Sequence, residues 1–141
     1  MTNIPTAWRS ALLGDVARWG SGGTPRAGDS RYYRGRIPWA VIGDLRDGPV
    51  AVTASSITEE GLRESSAKLV PADSVLVAMY GSIGKLGITA AELATNQAIA
   101  FAVPERDKVE TKFLFYYLLS QRGQLAAAGK ARPNKTSGRG S

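Results

Sequence analysis

Apolar residues fall into short runs divided by glycine, proline and small polar residues, and from Thr111 their spacing changes. Leu12 to Trp19 is a short apolar stretch broken by Gly14 and Asp15. It predicts a helical turn leading into a strand. Gly20 to Ser30 is dense in glycine and small residues and predicts a loop. Arg31 to Arg36 follows, aromatic and basic together. Ile37 to Ile42 predicts a strand, with Pro38 near its start, where a missing N–H does least harm. Gly43-Asp44 and Asp47-Gly48-Pro49 supply turns. Val50 to Thr53 predicts a short strand. Ser56 and Glu59 have capping-box spacing, which predicts a short helix through about Ser66, weakened by Gly61 and the serines. Pro71 to Asp73 is a turn. Ser74 to Met79 is continuous and apolar and predicts a core strand. Tyr80 to Lys85 is a glycine loop. Leu86 to Thr89 and Ala98 to Val103 are the next strands, with the polar Thr95-Asn96-Gln97 between them.

Beyond Thr111, the residues Phe113, Leu114, Tyr117, Leu118, Gln121 and Leu125 lie on one helical face, and Gly129 supplies a stop. Phe113, Tyr117 and Leu118 are assigned to the core. Short strands between Gly/Pro turns, then one helix, predict an α+β fold. The expected form is a curved, mostly antiparallel sheet with short helices and one long C-terminal helix. Residues 1–129 form the expected domain, and residues 130–141, with no apolar anchor, a flexible basic tail. No internal repeat is present.

The 141 residues carry a net charge of +6, with a hydrophobic fraction of 43% that is ample for one globular core. An isoelectric point near 9.9 points toward a polyanionic partner, above all nucleic acid. An anionic membrane surface would call for a basic amphipathic helix or a lipidation signal, and neither is found. No signal peptide or bilayer-spanning run is apparent, which predicts a soluble, cytoplasmic chain.

The chain has no cysteine and no histidine. That excludes disulfides, thiolate nucleophiles, the Ser-His-Asp triad and the common zinc sites. Gly81-Ser-Ile-Gly84-Lys85 falls short of a Walker A loop. Two residues separate its glycines where four are needed, and Leu86 stands where a magnesium-binding hydroxyl belongs. No G-x-G-x-x-G joins a strand to a helix, and Asn96 is followed by Gln97 where an amino-methyltransferase would carry Pro. Asp44, Asp47, Asp73 and Glu92 have no spacing that marks them as metal ligands for hydrolysis. No catalytic residue, metal site or cofactor is assigned.

One family matches these motifs in order: Trp8, Leu13-Gly-Asp-Val16, Gly22-Gly-Thr-Pro25, Tyr32-Tyr33, Ile37-Pro-Trp39 and Asp44-Leu45, then Ile57-Thr58 with Gly61-Leu62, Lys68-Leu-Val-Pro71, Val75-Leu76, Gly81-Ser-Ile-Gly-Lys85, Thr95-Asn-Gln-Ala98 and Tyr116-Tyr-Leu-Leu119. From about Trp8 to Gly129 the chain resembles the target recognition domain of type I restriction–modification specificity subunits. The resemblance implies a non-catalytic domain that reads one half of a split double-stranded DNA target. It implies methyltransferase and restriction subunits as partners, which supply cofactor, methylation and cleavage. In that family a spacer helix follows the domain, whereas here a short basic tail does. The chain is therefore expected to be a fragment, a truncated product or one half of a specificity subunit. The alternative function is a protein-interaction module that pairs with another half-subunit or occupies the methyltransferase subunits.

For DNA, Lys and Arg would neutralise phosphates, while Arg, Asn and Gln would reach base edges. The glycine-rich stretch from Thr24 holds Arg26, Arg31, Tyr32, Arg34 and Arg36, the first choice for a DNA-facing surface. The competing reading packs Tyr32 and Tyr33 in the core and leaves the arginines solvated. Arg46 lies in the next turn. Ser82 and Lys85 suit a phosphate, or sit in a plain tight turn. Asn96 and Gln97 suit adenine, or satisfy backbone groups at the start of a strand.

Overall fold

The computed structural model describes residues 14–105, 107–124 and 127. The Gly129 stop and the basic tail lie outside the described residues. A helical turn at residues 14–16 leads into β1 (Ala17–Ser21), as the broken apolar stretch predicted. The other strands are β2 (Tyr33–Ala40), β3 (Gly48–Val50), β4 (Ser55–Ile57), β5 (Leu69–Val70), β6 (Val75–Ala78), β7 (Leu86–Thr89), β8 (Leu93–Thr95) and β9 (Ile99–Pro104). Among the described residues, helices α1 (Glu59–Arg63) and α2 (Thr111–Ser120) join them, with further helical residues at 122–124.

The strands of the expected α+β fold lie in two sheets. One has the order β1-β9-β6-β7-β3 and the other β4-β2-β8-β5. Pairing is mostly antiparallel, but β2 runs parallel to β8 and β3 parallel to β7.

Strand alternation stacks four layers. Leu76 and Ala78 of β6 join Ile99, Phe101 and Val103 of β9 and Ala40, Val70 and Leu93 of the smaller sheet in one shared core. Val75 and Val77 point the other way, with Ala102, onto Leu114, Phe115 and Leu118 of α2. Burial on both faces is why β6 reads as an unbroken apolar run. On the far side of the smaller sheet, Ile37, Trp39, Ile57 and Ala94 pack with Leu62 of α1.

Three expectations need correction. The helix does not open at Ser56, because Ser55–Ile57 is a strand whose Ile57 is fully buried opposite Ile37. Thr58 is the cap instead. Its Oγ1 accepts the Gly61 N–H (2.9 Å) and donates to the Arg31 carbonyl (2.6 Å), and the helix ends at Arg63. The strand expected at Val50 to Thr53 lies earlier, at Gly48–Val50, where parallel pairing with β7 sets its limits. Phe113 is not core. It is 53% exposed, because Leu114, Phe115 and Leu118 take the face turned to the sheet, with Tyr117 at its margin.

Candidate nucleic-acid interface

Four chain segments meet where the strands end. Beyond β1, the Gly22 N–H donates to the Ile99 carbonyl (3.4 Å) and the Gly23 N–H to that of Thr95 (3.0 Å). Beyond β8, the Asn96 N–H donates to the Ala40 carbonyl at the end of β2 (3.0 Å). Beyond β6, the Met79 N–H donates to the Ala98 carbonyl (2.8 Å). The approach at Gly22 excludes a side chain, since a Cβ would stand 2.0 Å from the Thr95 carbonyl oxygen.

These contacts bring Thr24 to Gln97. Both are exposed, and the Thr24 hydroxyl donates to Gln97 Oε1 at 2.5 Å. Asn96 is placed differently. Its Oδ1 accepts the Ala98 N–H (3.0 Å), so the side chain holds the turn at the start of β9, the competing reading of that residue.

The glycine loop folds beside them. Gly81 and Gly84 have φ of +63° and +92°, a region that favours glycine. A Cβ on Gly81 would lie 3.9 Å from Ile42 Cδ1, so this loop borders the turn at Ile42–Asp44. Ser82 is exposed, Lys85 half-buried, and the Lys85 N–H donates to the Ser82 carbonyl (3.1 Å). The Asp47 N–H donates to the Leu86 carbonyl (2.8 Å), and the Leu86 N–H returns to Asp47 Oδ1 (3.0 Å). That reciprocal pair sets the exposed Arg46 and Lys85 in adjacent segments.

The arginine-rich segment divides by its partners. Arg31 pairs with Asp29 (2.7 Å) and Glu60 (3.9 Å), and its guanidinium lies 5.1 Å from the centre of the half-buried Tyr32 ring. The hydrogen bond from Arg31 lowers the Asp29 carboxyl to about 2. Arg36 pairs with Glu59. Arg26 and Arg34 are exposed and make no ion pair among the described residues. Arg34 has φ +64° within the register shift between β2 and β4, a bulge of the kind that re-aims side chains. It borders a depression of about 380 Å³ lined also by Gly28, Asp29, Ser30 and Tyr33. Tyr33 follows the competing reading. Its hydroxyl donates to the Pro25 carbonyl (2.5 Å) and its ring meets Trp39 edge-on (6.1 Å between centres). Trp39 Nε1 in turn donates to the Gly23 carbonyl (3.0 Å), so two aromatic residues anchor the loop that carries Thr24 and Arg26.

The family described as the type I restriction modification DNA specificity domain matches residues 5–139. This chain belongs to that family. The specificity domain is the non-catalytic, DNA-recognising part of such systems. It is similar to the type I restriction enzyme MjaIX specificity subunit of Methanocaldococcus jannaschii, with 28% identity over 80% of this chain and 27% of the relative. It is likewise similar to the EcoR124I/EcoR124II specificity subunit of Escherichia coli, 28% identical over 87% of this chain and 31% of the relative. The specificity domain thus spans under a third of the length of these relatives. Its fold resembles that of the HsdS subunit from Thermoanaerobacter tengcongensis, with a TM-score of 0.66 and 21% identity over 82% of this chain and 28% of that one. Among the described residues, no helix is long and apolar enough to cross a membrane.

Sequence reasoning missed two features of the specificity domain's surface. Glu59 and Glu60 of α1 neutralise arginines that look free in the sequence, because α1 and the arginine segment meet only after folding. Arg122 reaches across to Asp47 (2.5 Å), 75 positions away, and no local pattern marks it.

Proposed function

We propose that this chain recognises one half of a bipartite double-stranded DNA target for a type I restriction–modification complex. The observation that carries the reading is the meeting of Thr24, Arg46, Ser82, Lys85 and Gln97 from four loops at the ends of the strands, where hydrogen-bonding side chains adjoin cations. Gln97 has the donor and acceptor needed for an adenine edge. Arg26, Arg34, Arg46 and Lys85 would hold phosphates, with Ser82 assisting from its loop. Arg31, Tyr32 and Arg36 would flank the duplex with their charge reduced by Asp29, Glu59 and Glu60. Asn96 would act by holding the turn behind Gln97. Residues 1–129 would form the recognition module and 130–141 a basic tail. Methylation and cleavage would belong to methyltransferase and restriction subunits, and a second specificity half-subunit would read the other half-site. The lack of cysteine suits the reducing cytoplasm, where such a complex would meet DNA.

The test is selection of bound duplexes from a randomised pool, followed by a salt titration on the enriched sequence. A short enriched motif and a steep loss of affinity with salt are expected. An unenriched pool, with no binding at low salt, would refute the reading. Retained association with a methyltransferase subunit in that case would favour the protein-interaction module. The exposed aromatic rings of Phe113 (53%) and Tyr116 (62%) on α2 support that second reading.

A further inference from the structure

Arg122 follows α2 directly and touches both segments that carry Arg46 and Lys85. Its Nε donates to the Gly84 carbonyl (3.1 Å), and its Nη2 donates to Asp47 Oδ1 (2.5 Å). The same Asp47 oxygen accepts the Leu86 N–H (3.0 Å). Gly84 is shaped for this contact, with φ +92° and a would-be Cβ only 3.0 Å from Arg122 Cγ. Burial raises the Asp47 carboxyl, but the Leu86 N–H and the Arg122 guanidinium outweigh it and hold the group below its ordinary value. Lys85 adds to that effect.

Two cations, Arg122 and Lys85, therefore act on one carboxylate, and Arg46 directly precedes it in sequence. Arg122 is spent on Asp47, while Arg46 and Lys85 make no ion pair among the described residues. A planar guanidinium can serve a carbonyl and a carboxylate together, whereas an ammonium lacks that fork. We propose that Arg122 is a positioning residue that clamps Asp47 to Gly84 and so holds Arg46 and Lys85 as a joint contact for DNA phosphates. This rests on the DNA-recognition reading above and adds the part that orders the contact. It gives the end of α2 influence over two loops without touching DNA.

The decisive variant is Asp47→Asn in the full chain, with duplex DNA of randomised sequence as probe. Asparagine tolerates the φ of +60° at this position and keeps an acceptor for Leu86. The same Oδ1 can still accept from Arg122, but without the charge that strengthens the bond. Removing a negative charge beside DNA would tighten binding if charge alone mattered, whereas a weakened clamp weakens it. We expect several-fold weaker binding, and tighter or unchanged binding overturns the proposal. Arg122→Lys, with its charge kept, should reduce the steepness of log affinity against log salt by about one, as Lys85→Ala should. The double variant should lose little more than either single one, since both act on one contact. Additive losses, or wild-type behaviour of Arg122→Lys, overturn the clamp while leaving DNA recognition intact. A wild-type chain that ignores DNA at low salt overturns both. Thermal melts of each variant check that the fold persists.

Discussion

The Thr24 hydroxyl donates to Gln97 Oε1 at 2.5 Å, across 73 positions of sequence and between two exposed loops. The bond uses one lone pair of the amide oxygen and fixes which way the amide faces. The other lone pair and the Nε2 hydrogens stay available, the set an adenine edge requires. Gln97→Ala should therefore cost about 1–3 kcal/mol of discrimination at one base pair of the enriched site. Thr24→Val should blur the same position less, by releasing the amide. Affinities for the enriched duplex and its single-base variants measure both. Equal losses on every variant duplex would assign Gln97 to phosphate contact instead.

The arginines should not contribute alike. Arg26 and Arg34 make no ion pair among the described residues, whereas Arg31 and Arg36 pair with Asp29, Glu60 and Glu59. Counterion release scales with the phosphates a protein neutralises, and a cation already paired must give up its partner first. Arg26→Ala and Arg34→Ala should each reduce the salt slope by about one, and Arg31→Ala and Arg36→Ala by clearly less. Glu59→Gln should steepen the slope by freeing Arg36. Titrations of duplex binding from low to moderate salt would rank the five variants.

Much of the fold was legible because burial leaves apolar runs in the strands and a period in the helix. β6, β7, β9 and α2 stand out through Val75–Ala78, Leu86–Thr89, Ile99–Val103 and the spacing of Leu114 and Leu118. Strands β4, β5 and β8 are two or three residues long, too short to show alternation, and exist through pairing with partners remote in sequence. The candidate site was offered as residue types: Arg46, Lys85 and Gln97 were named once the family resemblance pointed to DNA, and Thr24 as the start of the arginine segment. Their meeting was not legible, because it depends on bonds such as Gly23 to Thr95 and Asp47 to Leu86. Nor was the neutralisation of Arg36, since Glu59 reaches it only once β4 pairs with β2.

Two glycines should separate a packing requirement from mere flexibility. At Gly22 a Cβ would stand 2.0 Å from the Thr95 carbonyl oxygen, while at Gly43 nothing lies within 4 Å. The Thr95 backbone belongs to a buried strand and cannot step aside. Gly22→Ala should destabilise the fold by about 3 kcal/mol or more, at the upper end of overpacking costs. Gly43→Ala should change stability by less than about 0.5 kcal/mol. Urea unfolding of the two variants beside wild type measures the contrast, and similar midpoints would show that β1 can move away from β8.

Trp39 links the buried core to the loop before Arg26. Its ring packs with Ile37, Ile57 and Ala94, and its Nε1 donates to the Gly23 carbonyl at 3.0 Å. Trp39→Phe keeps an aromatic ring but removes the donor, leaving that carbonyl without the indole bond. The expected cost is about 1–3 kcal/mol, with some added for the smaller ring. The consequence for recognition follows from position. Gly23 precedes Thr24, so a loosened carbonyl frees the segment that orients Gln97. Trp39→Phe should thus lose sequence discrimination while its salt slope falls by no more than about one, the share assigned to Arg26, because Arg34, Arg46 and Lys85 lie outside the Gly23–Arg26 loop. Parallel measurement of thermal stability, salt slope and single-base discrimination tests this. A fall in slope with discrimination intact would mean that the indole bond supports phosphate contacts and not the Thr24–Gln97 pair.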